Sequence, residues 1–224
     1  SAYDKKDFTL DSSIALQKPF TEPVEKETTY SVTANEGTED NTYLSLNTVV
    51  GTDIDPILYV AFQILDYTLI SAPGAPLKQA LIDAHIGQDI MGGYENGILQ
   101  PYFSVVAKNA NKEQKGEFLS VVKGTLRKLA DQGIDKKSLL AGLNYYEFRY
   151  READYGSAPK GLMYGLQIFD SWLYDETKPF IHVEALDTFA FLKEQINTGY
   201  FEKLIQTYLL DNQHGALVTI VPEP

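Results

Sequence analysis

Three histidines, His85, His182 and His214, are the residues best suited to metal chemistry in this chain of 224 residues. They lie far apart, and the sequence contains neither H-x-x-E-H nor H-E-x-x-H, the spacings that place two imidazoles on one helix face for zinc. We expect each histidine to be a turn or surface residue rather than a metal ligand. The chain has no cysteine, which excludes thiolate ligands, disulfides and a cysteine nucleophile.

Motifs for other hydrolytic chemistry are equally sparse. No G-x-S-x-G is present to place a nucleophilic serine. The carboxylate pairs Glu152/Asp154 and Asp175/Glu176 lie in charged helix ends, where a solvated or capping role is a simpler interpretation than a glycosidase pair. Residue chemistry alone therefore does not indicate a self-sufficient enzyme.

The stretch "HIGQDIMGGYENGILQPYFSVVAKN", residues 85–109, holds Gly92, Gly93 and Gly97 within six residues. It lacks the G-K-[ST] ending of a phosphate loop, and no helix opens directly after it, so a dinucleotide fingerprint is also excluded. Glycine weakens a strand, and two in a row indicate a bulge or the close approach of another backbone.

A second unusual segment is rich in tyrosine and arginine. Its members are Tyr145, Tyr146, Tyr150 and Tyr155, with Arg149 and Arg151 between them. Two interpretations stay open. Either the segment lines a peptide-binding chamber, or its rings pack in the core while the arginines extend to solvent.

The hydrophobic pattern predicts the elements that position these residues. Runs rich in Thr, Tyr and Val at residues 26–34 and 41–51 predict two strands joined as a hairpin. Asp55 followed by Pro56 predicts the start of an apolar helix over residues 57–71. A short helix that stops at Gly87, the glycine stretch, a strand over residues 99–108, a block of helices and a closing strand follow.

This order predicts an α+β fold with a mostly antiparallel sheet and helices packed on one face. No linker divides the chain, so we expect an irregular segment over residues 1–24 and a single domain over residues 25–224. The last strand is expected to return to the first sheet.

The composition limits the partners. A net charge of −12, from 31 acidic and 19 basic residues, argues against a general affinity for nucleic acid or anionic membranes, although it would attract a basic peptide. We see no signal peptide at the start and no apolar run of membrane-spanning length. With no cysteines, these features suit the cytoplasm or an organelle matrix.

Three segments together resemble the pitrilysin/insulinase metallopeptidases, and in particular their presequence-protease branch. They are "LYVAFQILDYTLISAPGAPLKQALIDAHIGQDIMGGYENG", "GLMYGLQIFDSWLYD" and "YLLDNQHGALVTIVPEP". The order of elements extends the resemblance over almost the whole chain from about residue 25. Each motif is loose, but the order and spacing of all three are fairly specific.

The resemblance implies a parent peptidase of four related domains that close around a peptide. Its first domain would carry zinc on H-x-x-E-H, and this chain is similar to the second, non-catalytic domain. An overlay of the two places Phe62, Leu65 and Asp66 where the metal-site residues would stand. These residues cannot hold zinc or activate water, so we expect no cofactor in this chain and zinc in the parent protein.

In insulin-degrading relatives, the strand equivalent to the glycine stretch is an exosite that pairs with the substrate's amino-terminal end. The resemblance therefore implies a substrate-binding role for six residues: Asp89, Ile90, Met91, Gly92, Gly93 and Tyr94. Physically this is the addition of a peptide strand to a sheet edge. The alternative is that Gly92 and Gly93 form a bulge needed only for the curvature of the sheet.

Two functions of different classes follow. The first is a non-catalytic substrate-chamber domain of a zinc peptidase, with a peptide substrate and the other domains of the same polypeptide as partners. The second is a stand-alone interaction or scaffold module, similar to inactive subunits of processing peptidases. No feature speaks for a third possibility, a domain that binds a small molecule.

Overall fold

The computed structural model describes residues 13–33, 37–153 and 155–224. Part of the expected irregular segment (residues 1–12), part of the expected turn and strand end (residues 34–36), and Asp154 lie outside the described residues. The strands are β1 Val24–Ser31, β2 Thr42–Val49, β3 Asp89–Glu95, β4 Tyr102–Ala110 and β5 Gly215–Glu223. The helices are α1 Pro56–Asp66, α2 Pro76–Asp83, α3 Lys115–Gln132, α4 Lys136–Glu152, α5 Lys160–Trp172, α6 Leu186–Gln195 and α7 Tyr200–Leu204.

The five strands form one sheet in the order β1-β5-β2-β4-β3. Three of the four pairings are antiparallel, and β1 runs parallel to β5. The predicted α+β fold and the return of the last strand to the first sheet are confirmed. The predicted hairpin of β1 and β2 is wrong, because β5 lies between them and pairs with both.

Asn212 fixes the start of the closing strand β5. Its side-chain amide donates to the main-chain oxygen of Val49 at 2.7 Å and accepts from the backbone N–H of His214 at 2.8 Å. Val49 in turn donates its N–H to the His214 carbonyl at 2.9 Å. The end of β2 and the beginning of β5 are therefore held in register before the ladder starts.

The helices cover one face of the sheet, because every second residue of the inner strands is buried there. Helix α1 begins as predicted, since Asp55 Oδ1 accepts from the backbone N–H groups of Ile57 and Leu58 at 3.0 Å each. It continues into a π-helical turn, Tyr67–Ser71. Phe62, Ile64 and Leu65 of α1 have no exposed surface, and this burial makes α1 the central helix of the core.

The helical stretch Pro56–Asp83 is long and apolar enough, by composition, to cross a membrane. This differs from the expectation that no apolar run reaches that length. In the qualifying window 56% of the residues are buried inside the domain. Packing of α1 in the core accounts for that apolar character.

Helix α5 is attached differently from α1. Between Tyr155 and Glu184, the only residues classed as buried are Ser171 and His182, both polar. Several large apolar side chains of α5 are instead exposed, with Leu162 at 56%, Leu166 at 51% and Phe169 at 45%. Met163 and Ile168 are only half-buried, so α5 packs less deeply than α1.

Candidate functional site

Strand β3, the glycine stretch, lies at an edge of the sheet, and β4 is its only strand partner among the described residues. The opposite edge is β1, which carries the charged residues Glu25, Lys26 and Glu27. Charges are a common device for preventing an edge from pairing with another strand. Of the two edges, β3 is therefore the one better suited to accept a peptide strand.

Gly92 and Gly93 of β3 have different reasons to be glycine. A Cβ at Gly92 would fall on the carbonyl oxygen of Ser104 in β4 and lie 3.0 Å from Cδ1 of Ile70. A Cβ at Gly93 would meet nothing within 4 Å. The neighbouring strand thus accounts for Gly92, whereas nothing in the described part of the chain requires a glycine at 93.

The other four predicted residues of β3 divide between its two faces. Ile90 is buried, and the ring of Tyr94 lies 5.5 Å from that of Phe62, so both belong to the helix-covered face. Met91 is 45% exposed, and the Asp89 carboxylate lies 3.9 Å from Nζ of Lys78. Because side chains alternate along a strand, Asp89, Met91 and Gly93 lie on the face of the sheet opposite to Ile90 and Tyr94.

A cavity of about 320 Å³ lies between α1, α4 and α5, and Asn96, the residue after β3, forms part of its wall. Tyrosine rings supply much of that wall, namely those of Tyr59, Tyr146, Tyr150 and Tyr155. We refer to this space as the tyrosine cavity. The cavity therefore lies beside the end of the edge strand.

The tyrosine cavity shows where the tyrosine-rich segment lies. Tyr146 and Tyr150 pack partly against the core and also line the cavity, and a role of the cavity in peptide binding stays a prediction. Tyr145 is 43% exposed and stacks on Tyr67 with the ring centroids 4.9 Å apart. Arg149 extends along the rim, its guanidinium 5.6 Å from the centroid of the Tyr145 ring.

Asp170 of α5 is the carboxylate of the tyrosine cavity. Its Oδ2 accepts a hydrogen bond of 2.9 Å from the Tyr59 hydroxyl. Burial raises the pKa of Asp170, the hydrogen bond from Tyr59 opposes that rise, and the nearby Glu95 adds to it. Met163, Leu166, Gln167 and Asp170 all line the cavity, and their helical spacing of three and four residues is a signal that sequence reasoning missed.

Beside the tyrosine cavity lies a fully buried pair of titratable side chains, Asp53 and His182. Asp53 Oδ1 is 3.5 Å from His182 Nε2, and their side chains are 0% and 1% exposed. The His182 ring stacks on Tyr59 with the centroids 3.7 Å apart. None of the four polar atoms of the pair makes a well-formed hydrogen bond to the described residues.

Burial shifts the pKa values of this pair in opposite directions. It raises the pKa of Asp53 to about 8, with a further rise from the charge of Asp170. It lowers the pKa of His182 to about 4, against a smaller opposing effect of the Asp53 backbone. In both cases the buried environment disfavours the charged form.

The histidines only partly follow the prediction of turn or surface positions. His85 is exposed in a turn, with a positive φ of 57°. His182 lies in a turn, as predicted, but it is buried at 1% exposure rather than placed on the surface. His214 is buried at 6% exposure directly before β5, so the prediction was wrong for His214. Their sequence neighbours do not form periodic apolar patterns, and neither side chain could be placed without the tertiary contacts to Asp53 and Phe20.

At the positions suggested by the overlay, helix α1 presents two apolar side chains and a single carboxylate. Phe62 and Leu65 are buried in the core. The Asp66 carboxylate accepts from the hydroxyl of Ser71 at 3.3 Å, and burial raises its pKa to about 6. Across the described residues, no group of three or more His, Asp or Glu side chains is arranged to hold a metal ion.

Together, the sheet order and the central apolar helix define an α+β domain with helices on one face of its sheet. The family model described as "Peptidase M16 inactive domain" matches residues 4–145. The chain belongs to this family.

Individual relatives agree with the family. The chain is 42% identical to "Protein HypA" of Clostridium perfringens over 214 residues, which cover 96% of this chain and 22% of the relative. It is 29% identical to "Presequence protease 1, chloroplastic/mitochondrial" of Arabidopsis thaliana, over 95% of this chain and 20% of that protein. The chain thus spans about a fifth of the length of these relatives.

A solved structure confirms the fold. The peptidase M16 inactive domain from Pseudomonas fluorescens superposes with a TM-score of 0.61 at 13% identity. The superposition covers 94% of this chain and 46% of the other. At that level of identity the likeness concerns the fold alone.

Proposed function

We propose that this chain is the non-catalytic, substrate-binding domain of a zinc-dependent peptidase that degrades peptides. The zinc site would lie on a preceding domain of a longer polypeptide. Membership of the M16 inactive-domain family supports this proposal, as does the similarity to a presequence protease about five times as long as the alignment.

The observation that carries the proposal is the open edge of β3 at Gly93. An edge strand offers unpaired N–H and C=O groups, and a peptide that adds as a further strand satisfies them. On the uncovered face, the missing side chain of Gly93 leaves a gap into which a side chain of the incoming peptide fits. Substrate binding is therefore proposed through Asp89, Met91 and Gly93. Ile90 and Tyr94 pack against the core, and Gly92 allows the close approach of β4.

The proposal is tested by peptide binding to this chain, measured as the fluorescence anisotropy of a labelled peptide of alternating Thr and Val with one central Lys. Met91→Lys places a charge on the β3 edge, and Gly93→Val fills the gap. Each net hydrogen bond contributes about 0.5–1.5 kcal/mol, so disrupting the pairing is expected to weaken binding by about tenfold or more.

The matched control is Val24→Lys on the other edge strand, because Val24 is 40% exposed and Met91 is 45% exposed. This variant is expected to bind the peptide as the unmodified chain does. Equal losses from Val24→Lys and Met91→Lys, or no loss from Met91→Lys and Gly93→Val, would refute the proposal that β3 is the peptide site.

A further inference from the structure

The tyrosine cavity combines one carboxylate with aromatic walls. Oδ2 of Asp170 is engaged by Tyr59, whereas no hydrogen bond from the described residues reaches Oδ1. No lysine or arginine of the described chain lies within ion-pair distance of this carboxylate. One acceptor atom of the carboxylate is therefore free for a ligand.

Gly97 leaves that acceptor accessible from the edge strand. A Cβ at Gly97 would lie 3.7 Å from Asp170 Oδ1 and 3.8 Å from Glu95 Oε1. A larger side chain at position 97 would extend over the Asp170 carboxylate. Because Gly97 lies two residues beyond the end of β3, the Asp170 carboxylate lies close to the end of the edge strand.

The local charge is negative. Glu95 lies beside Asp170, because Glu95 Oε1 and Asp170 Oδ1 both lie within 4 Å of the position of a Cβ at Gly97, and the charge of Glu95 raises the pKa of Asp170. The opposing charge at the cavity, Arg149, lies on the rim over the Tyr145 ring and donates to the Tyr145 hydroxyl at 3.4 Å. The inner end of the cavity thus favours a cation.

Tyrosine faces strengthen this preference, because the negative face of an aromatic ring attracts ammonium and guanidinium groups within about 6 Å. A volume of about 320 Å³ is sufficient for a long side chain. A hydrophobic ligand would leave the Asp170 acceptor desolvated and unpaired, which is unfavourable. The aromatic wall and the Asp170 carboxylate thus both favour a cationic ligand.

We propose that the tyrosine cavity is a subsite for an organic cation carried by the bound peptide, with Asp170 as its counter-ion. The proposal rests on the proposed function, because the peptide is placed by β3. Two groups of a peptide have this chemistry, a Lys or Arg side chain and the amino-terminal ammonium. The experiment distinguishes them.

The test compares labelled peptides of alternating Thr and Val for binding to this chain. One has an acetylated amino terminus and a central Lys, the second is acetylated with norleucine in place of Lys, and the third has norleucine and a free amino terminus. We expect the Lys peptide to bind about tenfold more tightly than the acetylated norleucine peptide, in line with a desolvated charge pair beside aromatic rings. A similar gain for the third peptide would identify the terminal ammonium as a source of the cation.

Two variants connect the preference to Asp170. Asp170→Asn keeps an acceptor for the Tyr59 hydroxyl but removes the charge, and Gly97→Val covers the carboxylate without removing it. Both are expected to abolish the difference in affinity between the Lys and norleucine peptides. Arg149→Gln is the matched control on the rim, and it is expected to preserve or increase the preference for Lys.

The outcomes separate the two proposals. Equal binding of all three peptides to the unmodified chain overturns the cation subsite and leaves the peptide edge intact. A preference for Lys that persists in both Asp170→Asn and Gly97→Val also overturns it. If none of the peptides binds the unmodified chain, the proposed function fails and the subsite fails with it.

Discussion

At the residue scale, burial changes the protonation of Asp53 and His182, whose polar side-chain atoms have no hydrogen-bond partners among the described residues. In the folded chain the pKa of Asp53 is about 8 and that of His182 about 4, so the pair holds one proton between those values. In the unfolded chain the ordinary values of 3.8 and 6.5 apply. The proton thus moves from histidine to aspartate on folding.

This exchange predicts a particular pH dependence of stability. A raised pKa of Asp53 makes stability fall as the pH rises from 3.8 to about 8. A lowered pKa of His182 makes stability rise as the pH rises from about 4 to 6.5. The two effects offset each other up to pH 6.5, and above it only the effect of Asp53 remains.

The free energy of unfolding is therefore expected to decrease between pH 6.5 and about 8, by on the order of 1 kcal/mol per pH unit. Urea unfolding across this range measures the decrease, and Asp53→Asn should remove it. Asp187→Asn, on the exposed start of α6, is the control and should retain the slope. The same slope in Asp53→Asn and in the unmodified chain would contradict the assignment.

At the scale of the element, we predict opposite effects on stability when the two adjacent glycines of β3 are each replaced by alanine. Gly92→Ala forces its new methyl group against the Ser104 carbonyl oxygen, so we expect a loss of roughly 1–3 kcal/mol in the free energy of unfolding. Gly93→Ala meets nothing and reduces the freedom of the unfolded chain, which is expected to be neutral or stabilising by about 0.4–1 kcal/mol. Urea unfolding of the two variants measures both values.

Gly93→Ala also separates the two explanations of the glycine pair. If both residues served only the curvature of the sheet, both alanine variants would be destabilised to a similar extent. Unequal stabilities together with weaker peptide binding by Gly93→Val assign Gly92 to the architecture of the sheet and Gly93 to the ligand.

Elements were easier to predict from the sequence than the contacts between them. The signals for α1 are local, since Asp55, Pro56 and the apolar run that follows are neighbours along the chain, and the predicted start is correct. The pairing of β1 with β5 brings together residues such as Val24 and Ala216, and no local pattern reports it. A hairpin of β1 and β2 was therefore predicted, whereas in the structure β5 lies between these two strands.

The parts of the candidate site also differ in how well they could be predicted from the sequence. Two adjacent glycines marked the edge strand in the sequence, whereas the substrate-binding role of its residues was implied by the family resemblance and stays a prediction. The tyrosine cavity was found only in part, because Asp170 and Tyr59 are 111 residues apart and meet through one hydrogen bond. Asp53 and His182 carried no signal at all, since each lies in a connection between elements.

At the scale of the whole molecule, we predict that this chain binds no stoichiometric zinc and hydrolyses no peptide. The physical reason is that α1 offers Phe62, Leu65 and Asp66, and two apolar side chains with one carboxylate cannot complete a tetrahedral site. Elemental analysis of the purified chain, with a peptidase assay in added zinc, measures both properties. Tightly bound zinc at one metal per chain would contradict the prediction.

The position of β5 between β1 and β2 has a consequence for synthesis on the ribosome. Residues 215–223 are among the last of this chain to be translated, yet among the described strands β1 has no partner other than β5. While the helices form, β1 has no strand to pair with and β2 lacks a neighbour on one side. The sheet is closed only when the final strand is inserted, so an interrupted or shortened chain would expose two unpaired strand edges, the condition that promotes aggregation.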